Sequence, residues 1–235
     1  MSNLNKKKEY FEKFLSRIEN KNLKKLWEED SHFKEKFFDY IYEDLLEIEN
    51  PNILEFGVHA GFSTSIFLDV CKINNGKLFS VDVVDFSKSF DDPNWNFIQS
   101  RDDNFPMIEK NIPEKVDVIL IDTLHKPKHV EKILYHYYPR LKKNGLIIID
   151  DISWLYYTLN GARDNFFIEI NNKETFYKLI EIFNSNMNNI TLEFNFAHSG
   201  VCKIRKKSDL NLNISKKIKS REFSLKNLVK KILRK

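Results

Sequence analysis

Between Asn52 and Lys206 the chain alternates short, continuously apolar runs with stretches of helical periodicity, and this alternation limits the fold more than any other feature. Runs such as "VDVILI" and "GLIIID" have no polar alternation, so each reads as a strand buried on both faces. Strands are expected at Asn52–Val58, Lys77–Val83, Asn96–Ser100, Val116–Asp122, Leu146–Asp151, Thr191–Phe196 and Val201–Lys206. Helices are expected between them, at Phe62–Lys72, Phe105–Asn111, Pro127–Leu141 and Lys173–Asn184. Such an order implies a doubly wound α/β sheet with helices on both faces. The last two strands are joined only by "AHSG", too short for a crossover helix, so they form an antiparallel hairpin at the end of an otherwise parallel sheet.

Before the sheet, Tyr10, Phe11, Phe14, Leu15 and Ile18, then Phe37, Phe38, Ile41, Leu45 and Ile48, fall at helical spacing, which predicts two or three amphipathic helices over residues 1–50. After it, the stretch from Lys203 carries 13 Lys and Arg against two acids, whereas the preceding residues are net acidic. In "SLKNLVKKILRK" the apolar Leu225, Leu228, Val229, Ile232 and Leu233 share one helical face among lysines. That pattern suits a basic amphipathic helix lying on anionic lipid, or docking on the acidic body or on a second subunit. Nucleic acid fits less well, since this basic stretch has one aromatic, Phe223. The division expected is an N-terminal helical extension (1–50), a sheet domain (51–206) and a basic tail (207–235). The apolar runs are too short to span a bilayer and the first residues lack a signal-peptide pattern, so a cytoplasmic location is expected, with peripheral contact at the inner membrane surface through the tail. Cys71 and Cys202, without ligand-like spacing, read as buried free thiols.

In an open α/β sheet, ligands bind beyond the carboxyl ends of the strands. There "ILEFGVHAGFSTSIFL" runs from the first strand through a glycine turn into a helix. The turn is Glu55-x-Gly57-x-x-x-Gly61, not the GxGxxG of a dinucleotide site, and an acid at Glu55 would repel a diphosphate but could pair with an ammonium group. Asp82, ending the second strand, can accept both hydroxyls of a ribose. A ligand with a ribose, a cationic amino-acid end and no phosphate fits: S-adenosylmethionine. On Glu55, Gly57, Gly61, Ser63 and Asp82, the segment from Asn52 to about Lys206 resembles the class I S-adenosylmethionine-dependent methyltransferases. It is most similar to the metal-dependent small-molecule O-methyltransferases of the macrolide-sugar and catechol types. The resemblance implies a Rossmann-like seven-stranded sheet and places Asp102 near the adenine, with Asp103 second.

Asp122, ending the fourth strand, and Asp150 and Asp151, ending the fifth, bring three hard oxygen ligands to adjacent strand ends. Their mutual repulsion calls for a cation, and they coincide with the metal positions of the resembled enzymes, so Mg2+ is expected, with Mn2+ or Ca2+ as competitors. The alternative is solvated strand ends with Asp151 capping the next turn. His125, three residues past Asp122, is suited to general-base work, and the sugar-methylating relatives share the Asp-x-x-His pattern; Lys126 is the second candidate, after the catechol-type lysine. His129 and His136 read as surface or packing residues. The aromatic segment "SWLYYTLNGARDNFFIEI" suits a substrate-covering lid through Trp154, Tyr156 or Tyr157, or equally core packing or a subunit contact. The expected function is O-methylation of a sugar or other vicinal-diol acceptor, catechol-like ones included. The rivals are an NAD-dependent oxidoreductase and a catalytically silent relative that binds a membrane partner.

Overall fold

The computed structural model describes residues 3–155, 166–218 and 224–233. Its helices α1 (Asn3–Arg17), α2 (Lys21–Glu29), α3 (Ser31–Phe33) and α4 (Asp39–Leu46) precede the sheet, with a π-helical turn, Lys34–Phe38, between α3 and α4. Then follow β1 (Asn52–Phe56), α5 (Phe62–Asn74), β2 (Lys77–Asp82), β3 (Trp95–Gln99), α6 (Phe105–Glu109), β4 (Val116–Ile121) and α7 (Pro127–Tyr137). The order closes with β5 (Leu141–Asp150), α8 (Phe166–Ser185), β6 (Ile190–Asn195), β7 (Val201–Lys206) and α9 (Leu225–Leu233).

The seven strands lie in the order β3-β2-β1-β4-β5-β7-β6. β1 to β5 are mutually parallel, and β7 runs antiparallel to both β5 and β6, which confirms the terminal hairpin. Side chains alternate between two cores. Leu54, Phe56, Ile119, Ile121, Ile147 and Ile149 pack towards α7 and α8, while Ile53, Val118, Leu120, Leu146 and Ile148 pack towards α5 and the N-terminal helices. Phe14, Trp27, Phe37, Phe38, Ile41 and Leu45 are all buried in this second core, so the N-terminal helices cover one face of the sheet. Arg17 secures them by donating from Nη2 to Oδ2 of Asp69 on α5 at 2.8 Å, and the Trp27 indole donates to Ser65 Oγ at 2.9 Å.

Two expected boundaries move for local reasons. α7 ends at Tyr137 and a 3₁₀ turn over Tyr138–Arg140 follows, because Pro139 has no N–H to continue the ladder. β5 starts at Leu141, earlier than expected, where Leu141 pairs with Val116 ahead of an irregularity in register. α8 also begins earlier, at Phe166. α9 forms at the predicted place, with Leu225, Ile232 and Leu233 more than two-thirds exposed. No helix among the described residues is long and apolar enough to cross a membrane.

The turn after β1 is fixed by a backbone approach. Gly57 has φ +98°, and a Cβ built there would stand 2.0 Å from the Asp122 carbonyl oxygen at the end of β4. Neither the torsion nor the contact tolerates a side chain. Gly57→Ala should lower unfolding free energy by roughly 2 kcal/mol or more, read as a reduced urea midpoint.

Candidate active site

The carboxyl edge of the sheet gathers the acids of β1, β2, β4 and β5. Asp82 is bound into the turn beside it: Oδ2 accepts from Val58 N at 2.9 Å and Oδ1 from Val84 N at 2.9 Å. In front of it opens a cavity of about 370 Å³ lined by Gly57, His59, Asp82, Asp102, Asp122 and His129, among others. Asp102 is buried and accepts from Thr123 Oγ1, while its Oδ2 lies 2.6 Å from His129 Nε2. Asp103 turns away to Arg101 at 3.0 Å and Lys132 at 3.1 Å, and those hydrogen bonds hold its carboxyl at about 2. The structure therefore separates the two candidates and puts Asp102 on the cavity wall. His129, read from sequence as a surface or packing residue, instead forms that wall with Asp102. His136 does pack, stacking on Phe105 and meeting Glu109 at 2.8 Å.

Glu55 and Ser63 form part of a hydrogen-bonded group beneath the turn. In register with Ser80 on β2, Glu55 is fully buried and accepts from Ser80 Oγ at 2.6 Å, Ser63 Oγ at 2.6 Å and Thr64 Oγ1 at 2.9 Å. Three hydroxyls at the start of α5 and on β2 thus hold the Glu55 carboxyl beneath the turn. Gly61 keeps its expected place, capping α5 at φ +81°.

Asp122, Asp150, Asp151 and His125 do converge. His125 Nε2 lies 3.5 Å from Asp122 Oδ1 and 3.7 Å from Asp151 Oδ2, whereas Lys126 sits exposed at the N-cap of α7. Burial, then the charges of Asp150 and Asp151, push the Asp122 carboxyl well above the usual carboxylate range; burial also raises Asp150. The cation among them is an amino group that sequence reasoning missed. Lys36 Nζ, from the π-helical turn, donates to Asp150 Oδ1 at 2.6 Å, Asp150 Oδ2 at 2.9 Å and Ser199 Oγ at 2.5 Å, and lies 3.7 Å from Asp151 Oδ1. Burial pulls the Lys36 ammonium down, but Asp150 and Asp151 outweigh it and the group is held above its ordinary value.

A divalent ion needs several free oxygens on one cavity. Both oxygens of Asp150 are instead taken by Lys36, and among the described residues no group of three or more His, Cys, Asp or Glu side chains is arranged to hold a metal. The donor set as it stands does not fit the expected Mg2+. Trp154 packs with Phe176, Tyr177 and Phe196; Tyr156 and Tyr157, the other lid candidates, lie outside the described residues. Cys71 and Cys202 are free and buried, as expected.

This strand order, with the glycine turn after β1 and an acid ending β2, is the class I S-adenosylmethionine-dependent methyltransferase fold. Residues 54–152 match the model of a family described as a methyltransferase domain. The MycE methyltransferase of the mycinamycin biosynthetic pathway, solved with Mg and S-adenosylhomocysteine, superposes with a TM-score of 0.56 at 18% identity over 75% of this chain and 50% of its own. This chain thus spans about half the length of MycE. A candidate caffeoyl-CoA O-methyltransferase from Staphylococcus aureus gives 0.57 at 18% identity, over 86% of this chain and 99% of that one. The Podospora anserina methyltransferase PaMTH1, solved with S-adenosylhomocysteine, gives 0.55 at 15%, over 86% and 88%. Identities this low establish the fold. No curated protein sequence matches the chain.

Burial pushes the Glu55 carboxyl up to about 7, against the hydrogen bonds of Ser63, Ser80 and Thr64. An acid whose folded pKa is raised stabilises the fold least where it is forced to ionise. Its contribution falls as pH rises from the unfolded value near 4.5 through 7 and is constant above. Glu55→Gln should remove up to about 3 kcal/mol of this pH dependence, so the mutant's urea midpoint should fall less than the wild type's between pH 5 and pH 8.

Proposed function

We propose that this protein is an S-adenosylmethionine-dependent O-methyltransferase acting on a hydroxyl of a small molecule, a sugar or other diol being the favoured acceptor. The observation that carries this reading is the cavity at the carboxyl edge of the sheet, lined by Asp82, Asp102 and Asp122, with His125 beside Asp122. The sugar reading draws on MycE, which was solved with Mg, S-adenosylhomocysteine and mycinamycin VI. A nicotinamide oxidoreductase is disfavoured by the turn, which lacks GxGxxG and carries Glu55 beneath it.

When bound, S-adenosylmethionine supplies an electrophilic methyl group on a sulfonium sulfur. The turn at Gly57 lets backbone come close to the ligand, and the oxygens of Asp82, already oriented by Val58 and Val84 amides, have lone pairs left for the ribose hydroxyls. Asp102, held by Thr123 and His129, gives a polar wall for the adenine. His125 would take the proton from the acceptor hydroxyl as the methyl passes to that oxygen with cleavage of its bond to sulfur, S-adenosylhomocysteine being the leaving group. The imidazolium so formed would face carboxylate oxygens of Asp122 and Asp151. The exposed position of Lys126 favours His125 over it as the base. Peripheral contact of α9 with an anionic lipid surface is a separate part of the proposal, supported by its exposed Leu225, Val229 and Ile232 beside lysines.

Isothermal titration should show S-adenosylhomocysteine binding, weakened about tenfold or more by Asp82→Ala through loss of charge-assisted hydrogen bonds. NADH binding in place of S-adenosylhomocysteine would overturn the assignment. With an acceptor in hand, His125→Ala should lower kcat by roughly 100-fold and leave cofactor affinity nearly unchanged, while Lys126→Ala has little effect. The reverse ranking would move the base to Lys126.

A further inference from the structure

We propose that Lys36 is the resident cation of the strand-end carboxylates, standing where a divalent ion would bind, so that this site works without a metal. Three observations converge on that position. The ammonium has three N–H donors, and the acceptors around it are the two oxygens of Asp150 and Ser199 Oγ. Lys36 and Asp150 are 3% and 4% exposed, a degree of burial that a charged lysine reaches only when fully paired. The backbone also delivers it: Lys36 lies in the middle of the π-helical turn, whose extra residue per turn brings Lys36, Phe37 and Phe38 into burial together.

The segment around Lys36 is pinned in place. Asp30 caps α3 through the amides of His32 and Phe33, Glu35 meets His198 Nε2 at 3.0 Å, and His32 stacks on the His198 ring at 3.8 Å. Phe33 and Phe37 each lie 5.6 Å from the ammonium. The lysine is therefore held by its own element and by the β6–β7 turn, which carries both His198 and Ser199, as well as by the acids.

A lysine and a Mg2+ cannot share these oxygens. Mg2+ binds carboxylate at about 2.0–2.1 Å. An ion at that distance from Asp150 would press against an ammonium on the same two oxygens, with a repulsion that low local dielectric enlarges. One must leave. The substitution also changes what the site asks of an acceptor. A divalent ion chelates two neighbouring oxygens, whereas an ammonium offers hydrogen bonds without fixed coordination geometry. A vicinal diol is then acceptable but not required, and one hydroxyl within reach of His125 is enough. This last step rests on the methyltransferase reading; the identity of the cation does not.

Mn2+ serves as a probe of the metal position because its binding is read by electron paramagnetic resonance without any turnover. The wild-type chain should take up no Mn2+ below millimolar concentration. Lys36→Met, which removes the charge but keeps much of the apolar stem, should gain one Mn2+ site, and Lys36→Met/Asp150→Asn should lose it again. Mn2+ should raise the Tm of Lys36→Met by several degrees and leave that of the wild type unchanged. If Lys36→Met does not fold even with Mn2+, the wild-type titration decides alone: one micromolar Mn2+ site abolished by Asp150→Asn overturns the proposal. Wild-type S-adenosylhomocysteine affinity should be the same in EDTA and in Mg2+. No S-adenosylhomocysteine binding in either buffer would sink the functional assignment, and the Mn2+ result would still decide the cation.

Discussion

The carboxyl edge of the sheet collects more negative charge than it could hold if left to itself, and the buried pair between Lys36 and Asp150 resolves this. Asp122, Asp150 and Asp151 stand on neighbouring strand ends, and burial makes ionisation of Asp122 and Asp150 expensive. A single ammonium from the helices on the other core reaches across to them. A pair with both partners nearly inaccessible gains little net stability over an apolar replacement, but loss of one partner leaves an uncompensated buried charge, typically at about 3–5 kcal/mol. The pair acts mainly to fix position. It joins residues 114 apart and locks the N-terminal helices to the end of β5 in one register. The covering of that sheet face by Phe14, Trp27, Phe37 and Ile41 and the electrostatics of the site are therefore the same structural event.

The parallel strands explain why the acids are where they are. In the apolar runs 118–121 of β4 and 146–149 of β5 each side chain faces one core or the other, which leaves Asp122, Asp150 and Asp151 at the strand ends. Buried acids also occur inside strands: Asp117 accepts from the Asn52 amide and Lys142, and Glu55 is tolerated because Ser63, Thr64 and Ser80 surround it with donors. Its charge is used up in shaping the turn. Asp82, by contrast, lines the cavity with its oxygens oriented by backbone amides.

Much of this was legible in the sequence because it is encoded locally. Continuous apolar runs, the "AHSG" link and the glycine turn gave the strands, the antiparallel pair and the cavity's position, and Asp122, His125, Asp150 and Asp151 meet as their places at adjacent strand ends require. The missed parts depend on contacts distant in sequence. In "FKEKFF" a lysine reads as a solvated helical position, and nothing nearby signals a π-helical turn or a partner on β5. His129 was misread for a similar reason: its partner Asp102 lies beyond β3, on a different loop. The hydroxyl partners of Glu55 were not legible either, since Ser80 faces it only through strand register.

The contrast between the two halves of the site follows from how each acid is neutralised. Asp82 is held by backbone amides, and Asp102 by the Thr123 hydroxyl and the His129 ring, which orient the two side chains. They are left able to attract a polar or cationic ligand. Asp150 is held by a full positive charge and has little attraction to spare. Asp122 and Asp151 lie between these extremes, each near both His125 and the Lys36 ammonium, with less direct contact to the latter than Asp150. These two acids border the His125 ring. An ammonium on Asp150 and two acids at His125 thus divide one acidic edge into a part locked to the N-terminal helices and a part that faces the histidine.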